Sequence, residues 1–542
     1  MLQPRYAVFL GLLVFTAVFF ILMMAVNIHF FWPLLIVAVL SVVGIHDLVQ
    51  TRHSILRNYP VIGHFRFMFE AIRPEMRQYF FESNQDGRPF SRERRSLVYD
   101  RAKDIEGNVP FGTEYDVYDD DYSWVNHSMV PSGHGNGDFR VTVGGPDCTQ
   151  PYSASLFNIS AMSFGSLSAN AILALNTGAK MGGFAHDTGE GSVSRYHRQG
   201  GGDLIWELGS GYFGCRADDG TFDPEKFEAQ AKSDQIKMIE IKLSQGAKPG
   251  HGGVLPAPKV TEEIAEARGI PVGVECVSPA GHSAFSTPLE LMEFIATLRK
   301  LSGGKPVGFK LCLGHRWEFM AIAKAMLKTG IKPDFIVVDG AEGGTGAAPV
   351  EFTNRLGTPL RQGLTFVHNV LVGTGLRNDI RIGASGKLIS AFDIAGVLSL
   401  GADWVNCARG FMFALGCIQS QSCHTNRCPT GVATQDKKRQ EALVVPDKAT
   451  RVFNFHRNTL KAVAEFTAAA GLHHPKEFRP EFIYLREGHR QVLPASAAMT
   501  WLREGQLLED EDIPGFTTYW MMAQAESFDP LKTVSEVKQA DS

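Results

Sequence analysis

The sequence predicts an α/β protein built on a closed (β/α)8 TIM barrel, with an N-terminal transmembrane hairpin and a cysteine-rich loop. Three observations carry that expectation. Between about residues 155 and 410, eight short apolar runs alternate with amphipathic segments. Glycine-rich polar clusters follow those runs, as they do at the carboxyl ends of barrel strands. The opening 46 residues are almost wholly apolar. A doubly wound open sheet is the competing architecture. The chain has 542 residues, 44% hydrophobic and 20% charged, a globular balance that excludes overall disorder. A formal net charge of −4 offers no basic field for nucleic acid.

The hairpin comes first, over residues 1–46. No acidic residue precedes Asp47. A span needs about 20 apolar residues, so the stretch holds two, roughly 6–26 and 30–46. Asn27 to His29 form the turn, and Trp32 lies near an interface. Arg5 before the first span, with Arg52 and Arg57 after the second, puts both ends in the cytoplasm by the positive-inside rule. The expected location is the cell (inner) membrane, catalytic domain inward. A cleaved signal peptide competes, but the run is too long and lacks a small-residue cleavage site. A single tilted helix is opposed by Pro33 and the polar break.

Residues 47–150 form a lead-in. Arg57 to His64 reads as an extended or turn element, because Pro60 discourages helix before it. Residues 65–82 carry helical spacing. Pro110–Thr113 and Pro131–Asp138 read as loops. The barrel is expected over 151–440. Its strands are Leu156–Ala161, Gly182–His186, Met238–Leu243, Gly273–Ser278, Pro306–Cys312, Asp334–Asp339, Asp379–Ile382 and Trp404–Ala408. Helices are expected at Pro288–Leu301 and Trp317–Lys328, the latter stopped by Gly330. Residues 441–542 form a helical extension and a tail, frayed beyond Asp529.

Chemistry gathers where the strands end. Ala161, Met162 and Ser163 are small or flexible and leave backbone amides free for a flat ring; an ordinary turn is the plainer reading. Glu190 stands between glycines after Asp187, as an acid, a base or a substrate contact, or as a solvated turn acid. Lys242 and Lys248 flank Gln245. A lysine is costly to bury without an anion, here a substrate carboxylate or an anionic ring. A surface loop competes for Lys248. Lys310, inside an apolar strand, reads equally as an electrostatic stabiliser or as a structural ion pair. Three late loops hold Gly343, Gly344, Thr345 and Gly346, then Gly383, Ser385 and Gly386, then Gly410. Late loops form the usual barrel phosphate site. Finally, Cys417, Cys423 and Cys428 lie within twelve residues, the last followed by Pro429. Soft thiolates in that pattern point to an iron–sulfur cluster. Structural zinc needs a fourth ligand, for which His424 is awkwardly placed. The eight cysteines are too sparse for a disulfide scaffold, so a reducing compartment is expected.

Taken together, Ala161-Met-Ser-Phe-Gly-Ser-Leu-Ser168, Thr188-Gly-Glu-Gly191, Gln245-Gly-Ala-Lys-Pro-Gly250, Gly343-Gly-Thr-Gly-Ala347 and Cys423 to Thr434 resemble the FMN-dependent domain of glutamate synthases, in its membrane-anchored, glutaminase-less branch. The resemblance implies FMN in the barrel and a 3Fe–4S cluster on Cys417, Cys423 and Cys428. It implies that 2-oxoglutarate and ammonia give 2-iminoglutarate, which reduced FMN converts to glutamate. Lys248 would then hold substrate carboxylate, and Glu190 would contact the imine or supply a proton. Lys310 would face the flavin's pyrimidine edge. Ala161, Met162, Ser163 and Gln245 would line the flavin, and Gly343, Gly344, Thr345, Gly346, Gly383, Ser385, Gly386 and Gly410 its phosphate region. Where the family carries Gly-Glu-Gly-Gly-Gln, this chain has Gly250-His251-Gly252-Gly253-Val254. Val254 cannot donate a hydrogen bond, which bears on substrate choice. Asp187 stands where asparagine is common. The chain opens on Met1-Leu2, without the glutaminase cysteine, and no pyridine-nucleotide domain is visible. Electrons are therefore expected from ferredoxin or a membrane donor. Two alternatives stand beside this reading: a related amino-acid or N-methylglutamate-type synthase, and a membrane electron-transfer subunit without turnover.

Overall fold

Eight parallel strands close into a barrel in the second of two units, which begins at Glu93; the first ends at Arg92. The computed structural model describes residues 4–532 apart from 134, 136, 489, 490 and 510. Two positions of the expected 131–138 loop and the tail from 533 lie outside the described residues.

In the first unit, helices Ala7–Ala25 and Phe31–Val49 pack side by side. Gly44 makes this possible, because a Cβ there would stand 2.2 Å from the Phe9 ring. Thr16 and Ser41 hydroxyls meet across the pair at 2.9 Å. The Asn27 side chain accepts the His29 amide at 2.9 Å and shapes the turn. With mean hydropathies of 2.8 and 2.3, both helices are long and apolar enough to cross a membrane. Arg57–His64 is only partly the expected turn. It begins in a short helix, Ser54–Asn58, before turning at Tyr59. The expected helix over 65–82 is present as Gly63–Met76, continued by a wider turn at Arg77–Phe81.

The barrel strands are β1 (Phe157–Ile159), β2 (His186–Asp187), β3 (Leu204–Leu208), β4 (Ile236–Lys242), β5 (Val307–Leu311), β6 (Phe335–Asp339), β7 (Arg381–Ser385) and β8 (Trp404–Cys407). They pair in sequence order, and β8 closes onto β1 through Val405 and Phe157. One expectation is corrected. Gly273–Ser278 is not a barrel strand; Cys276–Val277 forms a short antiparallel ribbon with Val254–Leu255. Its valines face outward, with Val272, Val274 and Val277 all more than half exposed. The missing strand is β3, whose five residues are all buried, Glu207 among them.

Pro288–Leu301 is helical as expected, with a Thr287–Glu290 capping box. The next helix, Arg316–Thr329, ends at Gly330 with φ of 74°. After the barrel, helix Val445–Ala469 lies on Ala169–Gly182. Gly178 permits the contact, since a Cβ there would be 2.6 Å from Val452. The rest of the extension includes strands: Ile483–Glu487 pairs with Ser123–Val125 and with Gln491–Pro494.

Candidate active site

Side chains alternate along a strand, so residues two apart share a face. That rule turns Glu207 of β3, Glu240 and Lys242 of β4 and Lys310 of β5 toward one another. The loops after β2 and β4 then add Glu190 and Lys248. Two charged clusters result, one at the barrel mouth and one below it.

At the mouth, Lys242 Nζ lies 3.1 Å from Glu190 Oε2. Glu190 is held between glycines: a Cβ on Gly253 would come within 1.7 Å of its Oε1, and one on Gly209 within 2.8 Å of its Cβ. Burial alone would raise the Glu190 carboxyl, but Lys242, Arg268 and Lys248 outweigh it and hold the group below the usual range. Glu190 is therefore an anion. Lys248 is 2% exposed. Burial pushes its ammonium down to about 8, against the pull of Glu190 and with a further push from Lys242. The loop carrying Lys248 is fixed on both sides. Thr353 donates to the Ala247 carbonyl at 3.0 Å, and His251 meets Phe352 edge-on. Val254 enters the ribbon with Val277.

Arg268 completes the mouth, and the sequence did not signal it. It occupies the last turn of Glu262–Arg268, where a basic residue is unremarkable. Yet it is buried, its Nε has no hydrogen-bond partner, and its Nη2 would meet a Cβ on Gly191 at 2.9 Å. His282 is a second unforeseen neighbour, linking the Lys242 carbonyl and the Tyr212 hydroxyl at 2.9 and 3.0 Å. The mouth thus gathers three cations, Lys242, Lys248 and Arg268, around one carboxylate.

Below it, Lys310 is fully enclosed. It forms an ion pair with Glu207, lies 3.1 Å from Glu240 Oε1 and 3.9 Å from Asp187 Oδ2. Of the two readings open for Lys310, the ion pair is the one the structure contains. Burial acts against its charge, but Glu207, Glu240, Asp187 and Asp339 raise it well above the ordinary value. The carboxyls answer in turn. Burial and Glu240 push Asp187 well up, with Lys310 opposing. Burial pushes Glu240 up to about 7, again against Lys310. Asp187, Glu207 and Glu240 have oxygens within 4.8 Å of one another, a divalent-cation spacing already filled by an ammonium.

The late loops converge. Gly340 N–H donates to the Ser385 carbonyl at 2.8 Å, and Arg409 Nη2 donates to the Thr345 carbonyl at 2.6 Å. Gly346 has open space where a Cβ would stand, and Gly344 would place one 3.0 Å from Arg409 Nε. This edge, with a guanidinium and glycine amides, fits a phosphate. Gly383 and Gly410 serve packing as well, since a Cβ on either would strike Trp404 or Cys407. At β1, Ser163 lies under Gly189, where a Cβ would be 3.0 Å from the Ser163 amide. Gln245 precedes Gly246, whose N–H donates to Asp339 at 2.8 Å.

Cys417 follows the helix Arg409–Leu415 after a left-handed Gly416. Burial raises its thiol to about 11, with Arg409 opposing and the neighbouring Cys423 and Cys428 adding to the rise. Burial also acts upward on Cys428, but hydrogen bonds from Thr430, Ala433 and Val432 win and lower it. Lys259 lies against the same thiols: Cys423 and Cys428 resist the fall that burial imposes on its ammonium. Lys259 Nζ donates to the Ser166 carbonyl at 3.0 Å, and Asn426 donates to the Pro258 carbonyl at 3.3 Å, so the cysteine loop is tied to the turn Ala257–Lys259. The three thiols interact electrostatically, with Arg409 and Lys259 beside them, but their sulfurs do not all lie within 4.8 Å of one another; soft thiolates with cations nearby suit an anionic cluster.

Residues 148–473 match the family described as the conserved region in glutamate synthase. The glutamate synthase large subunit-like protein YerD of Bacillus subtilis is 39% identical over 490 residues, covering 83% of this chain and 93% of that one. The archaeal-type glutamate synthase (NADPH) of Thermotoga neapolitana is 36% identical over 313 residues, 58% of each chain. This chain therefore spans under two thirds of the archaeal-type relative. Among solved structures, a mutant flavocytochrome b2 with pyruvate bound covers 83% of this chain and 93% of its own at a TM-score of 0.42 and 10% identity, too loose a likeness to carry an argument.

Proposed function

Because this chain belongs to the glutamate synthase family and is an oxidoreductase of that type, we propose that its barrel mouth makes L-glutamate by reducing 2-iminoglutarate formed from 2-oxoglutarate and ammonia. One observation carries the reading: three cations face a single carboxylate at the mouth. That surplus of positive charge suits a dianionic oxo acid.

In this reading Lys248 and Arg268 hold the substrate carboxylates. Glu190, kept ionised by Lys242, stands against the imine nitrogen. There it favours the protonated, more electrophilic imine. Of the two roles open for Glu190, contact with the imine suits its lowered proton affinity better than proton donation. FMN, when bound, supplies the hydride, and a 3Fe–4S cluster on Cys417, Cys423 and Cys428 passes in the electrons. Ala161, Met162, Ser163 and Gln245 line the ring. Gly343, Gly344, Thr345, Gly346, Ser385 and Gly386, with Gly383 and Gly410 behind them and Arg409 as the cation, receive the phosphate. Lys310 supports the ring's pyrimidine side from below, but its charge is shared with Glu207 and Glu240. Val254 and His251 shape the substrate pocket. The apolar pair of helices anchors the chain in a membrane, with the barrel in the cytoplasm, and an external donor such as ferredoxin or a membrane carrier supplies electrons.

The test is anaerobic. Purified protein is reduced, then given 2-oxoglutarate and ammonium. Flavin reoxidation with stoichiometric glutamate is expected. Reoxidation only with a different oxo acid or with methylamine would favour a related synthase, and colourless protein after reconstitution would remove the cofactor assignment.

A further inference from the structure

The helix after the hairpin carries an apolar stripe that no described residue of its own unit covers. Phe65, Met68, Phe69, Ile72, Met76 and Tyr79 recur at helical spacing, so they line one side of Gly63–Met76 and its continuation Arg77–Phe81. Phe69 is 60% exposed, Phe80 73% and Phe81 75%. The opposite side is where the helix meets its own unit, through Phe67 stacked edge-on against His53. The stripe is thus an outer face of the packed unit. Arg66, Arg73 and Arg77 flank it. Arg66 pairs with Glu70 on an exposed surface and Arg77 with the mostly buried Glu82, each at 3.0 Å. From Gln50 to Phe81 the chain holds five arginines, two glutamates and no lysine or aspartate. The composition is that of an interfacial helix, aromatic on one face and arginine-bordered.

We propose that Gly63–Phe81 lies in the surface plane of an anionic lipid bilayer, with the Phe65 to Tyr79 stripe in the acyl boundary and the arginines at the headgroups. The inference rests on the reading of the preceding helices as a membrane hairpin. It adds a second element, parallel to the membrane instead of across it. Two observations select lipid as the occupant. The stripe follows the two exposed apolar helices after a linker that holds only the short helix Ser54–Asn58, so one apolar segment succeeds the other along the chain. The arginine border complements anionic headgroups. Asp47 ties this arrangement together: buried at the end of the second helix, it accepts from His64 Nε2 at 2.9 Å and from the Val61 amide at 2.9 Å, which fixes where the stripe-bearing helix starts.

The test uses the full chain in vesicles of equal parts phosphatidylcholine and phosphatidylglycerol. p-Benzoylphenylalanine is placed singly at Val14, Phe69, Glu70 or Phe80, and the photoadducts are identified by mass spectrometry. Lipid adducts are expected from Val14, Phe69 and Phe80, and their loss at Glu70. At Phe69, phosphatidylglycerol adducts should exceed phosphatidylcholine adducts about fivefold, the ratio that about 1 kcal/mol from a single neighbouring arginine implies. Combining Arg66→Gln, Arg73→Gln and Arg77→Gln should abolish that excess. If Val14 yields lipid while Phe69 and Phe80 yield none, or yield crosslinks to protein, the proposal falls and the hairpin reading stands. If Val14 yields no lipid, both fall. Equal adducts of the two lipids overturn the anionic preference.

Discussion

The barrel holds two charged clusters built from the same side chains, and they differ in the sign of what is left over. At the mouth, Lys242, Lys248 and Arg268 surround Glu190, so positive charge is in surplus. One layer down, Asp187, Glu207 and Glu240 surround Lys310, so negative charge is in surplus. Buried charge must be paired or neutralised. The lower cluster satisfies that rule by itself, because its raised carboxyls hold protons. The mouth does not, and the anion it lacks has to come from outside. A structural core and a binding site are thus told apart by which cluster balances without a ligand. The glycines agree: Gly209 and Gly253 leave room for the Glu190 side chain and nothing larger.

The largest expected effect breaks the mouth. Glu190→Gln keeps the shape and removes the anion facing the imine. Turnover should fall about 10²–10³-fold, the usual cost of one preorganised electrostatic contact. A variant that retains wild-type turnover would show that Glu190 only balances Lys242. The next effect belongs to the lower cluster. Lys310→Met strands three carboxylates and should cost about 3–5 kcal/mol of stability in a denaturant titration. The sign of its pH dependence follows from the raised carboxyls. A carboxyl raised on folding gives stability that is complete below its unfolded value, 4.5 for Glu240, and lost as pH climbs through the folded value of about 7. With Lys310 gone, those folded values climb further, so the deficit should be largest above neutral pH and shrink in acid. An equal deficit at pH 5 and pH 8 would mean that Lys310 contributes packing alone.

How much of this was legible in the sequence follows from where each residue's partner lies. Glu190 and Lys248, which the fold brings to one charged cluster, stood out because glycines lie beside them locally, and the three cysteines stood out because their spacing is local. Strand β6 opens with the continuous apolar run Phe335–Val338, and a run buried on both faces reads plainly. β3 was missed although four of its five residues are apolar; what makes its Glu207 tolerable is Lys310, two strands away in the barrel. Arg268 was missed as well. Its helix-end position looks ordinary, and its significance lies in Glu190, brought near only by the fold. Gly273–Ser278 misled in the opposite direction, since β-branched composition alone does not say which sheet receives a strand.

The smallest effect is also the sharpest discriminator between the clusters, because each has its own titration. Burial brings Lys248 down to about 8, so a buried lysine can lose its proton within the working range of an enzyme. Only the ammonium form can hold a substrate carboxylate. Affinity for the oxo acid should therefore be complete below pH about 8 and decline above it. KM should rise about tenfold per pH unit beyond the break as the protonated fraction falls, with kcat at saturation nearly level. Lys248→Arg keeps a charge that never titrates, so its KM should lose the break, whatever the geometric cost of the guanidinium. Glu240 changes charge near 7 but is sealed beneath the mouth, so it should leave no mark on KM. A KM profile that bends near 7 and is unmoved by Lys248→Arg would assign the pH dependence to the lower cluster and take substrate binding away from Lys248.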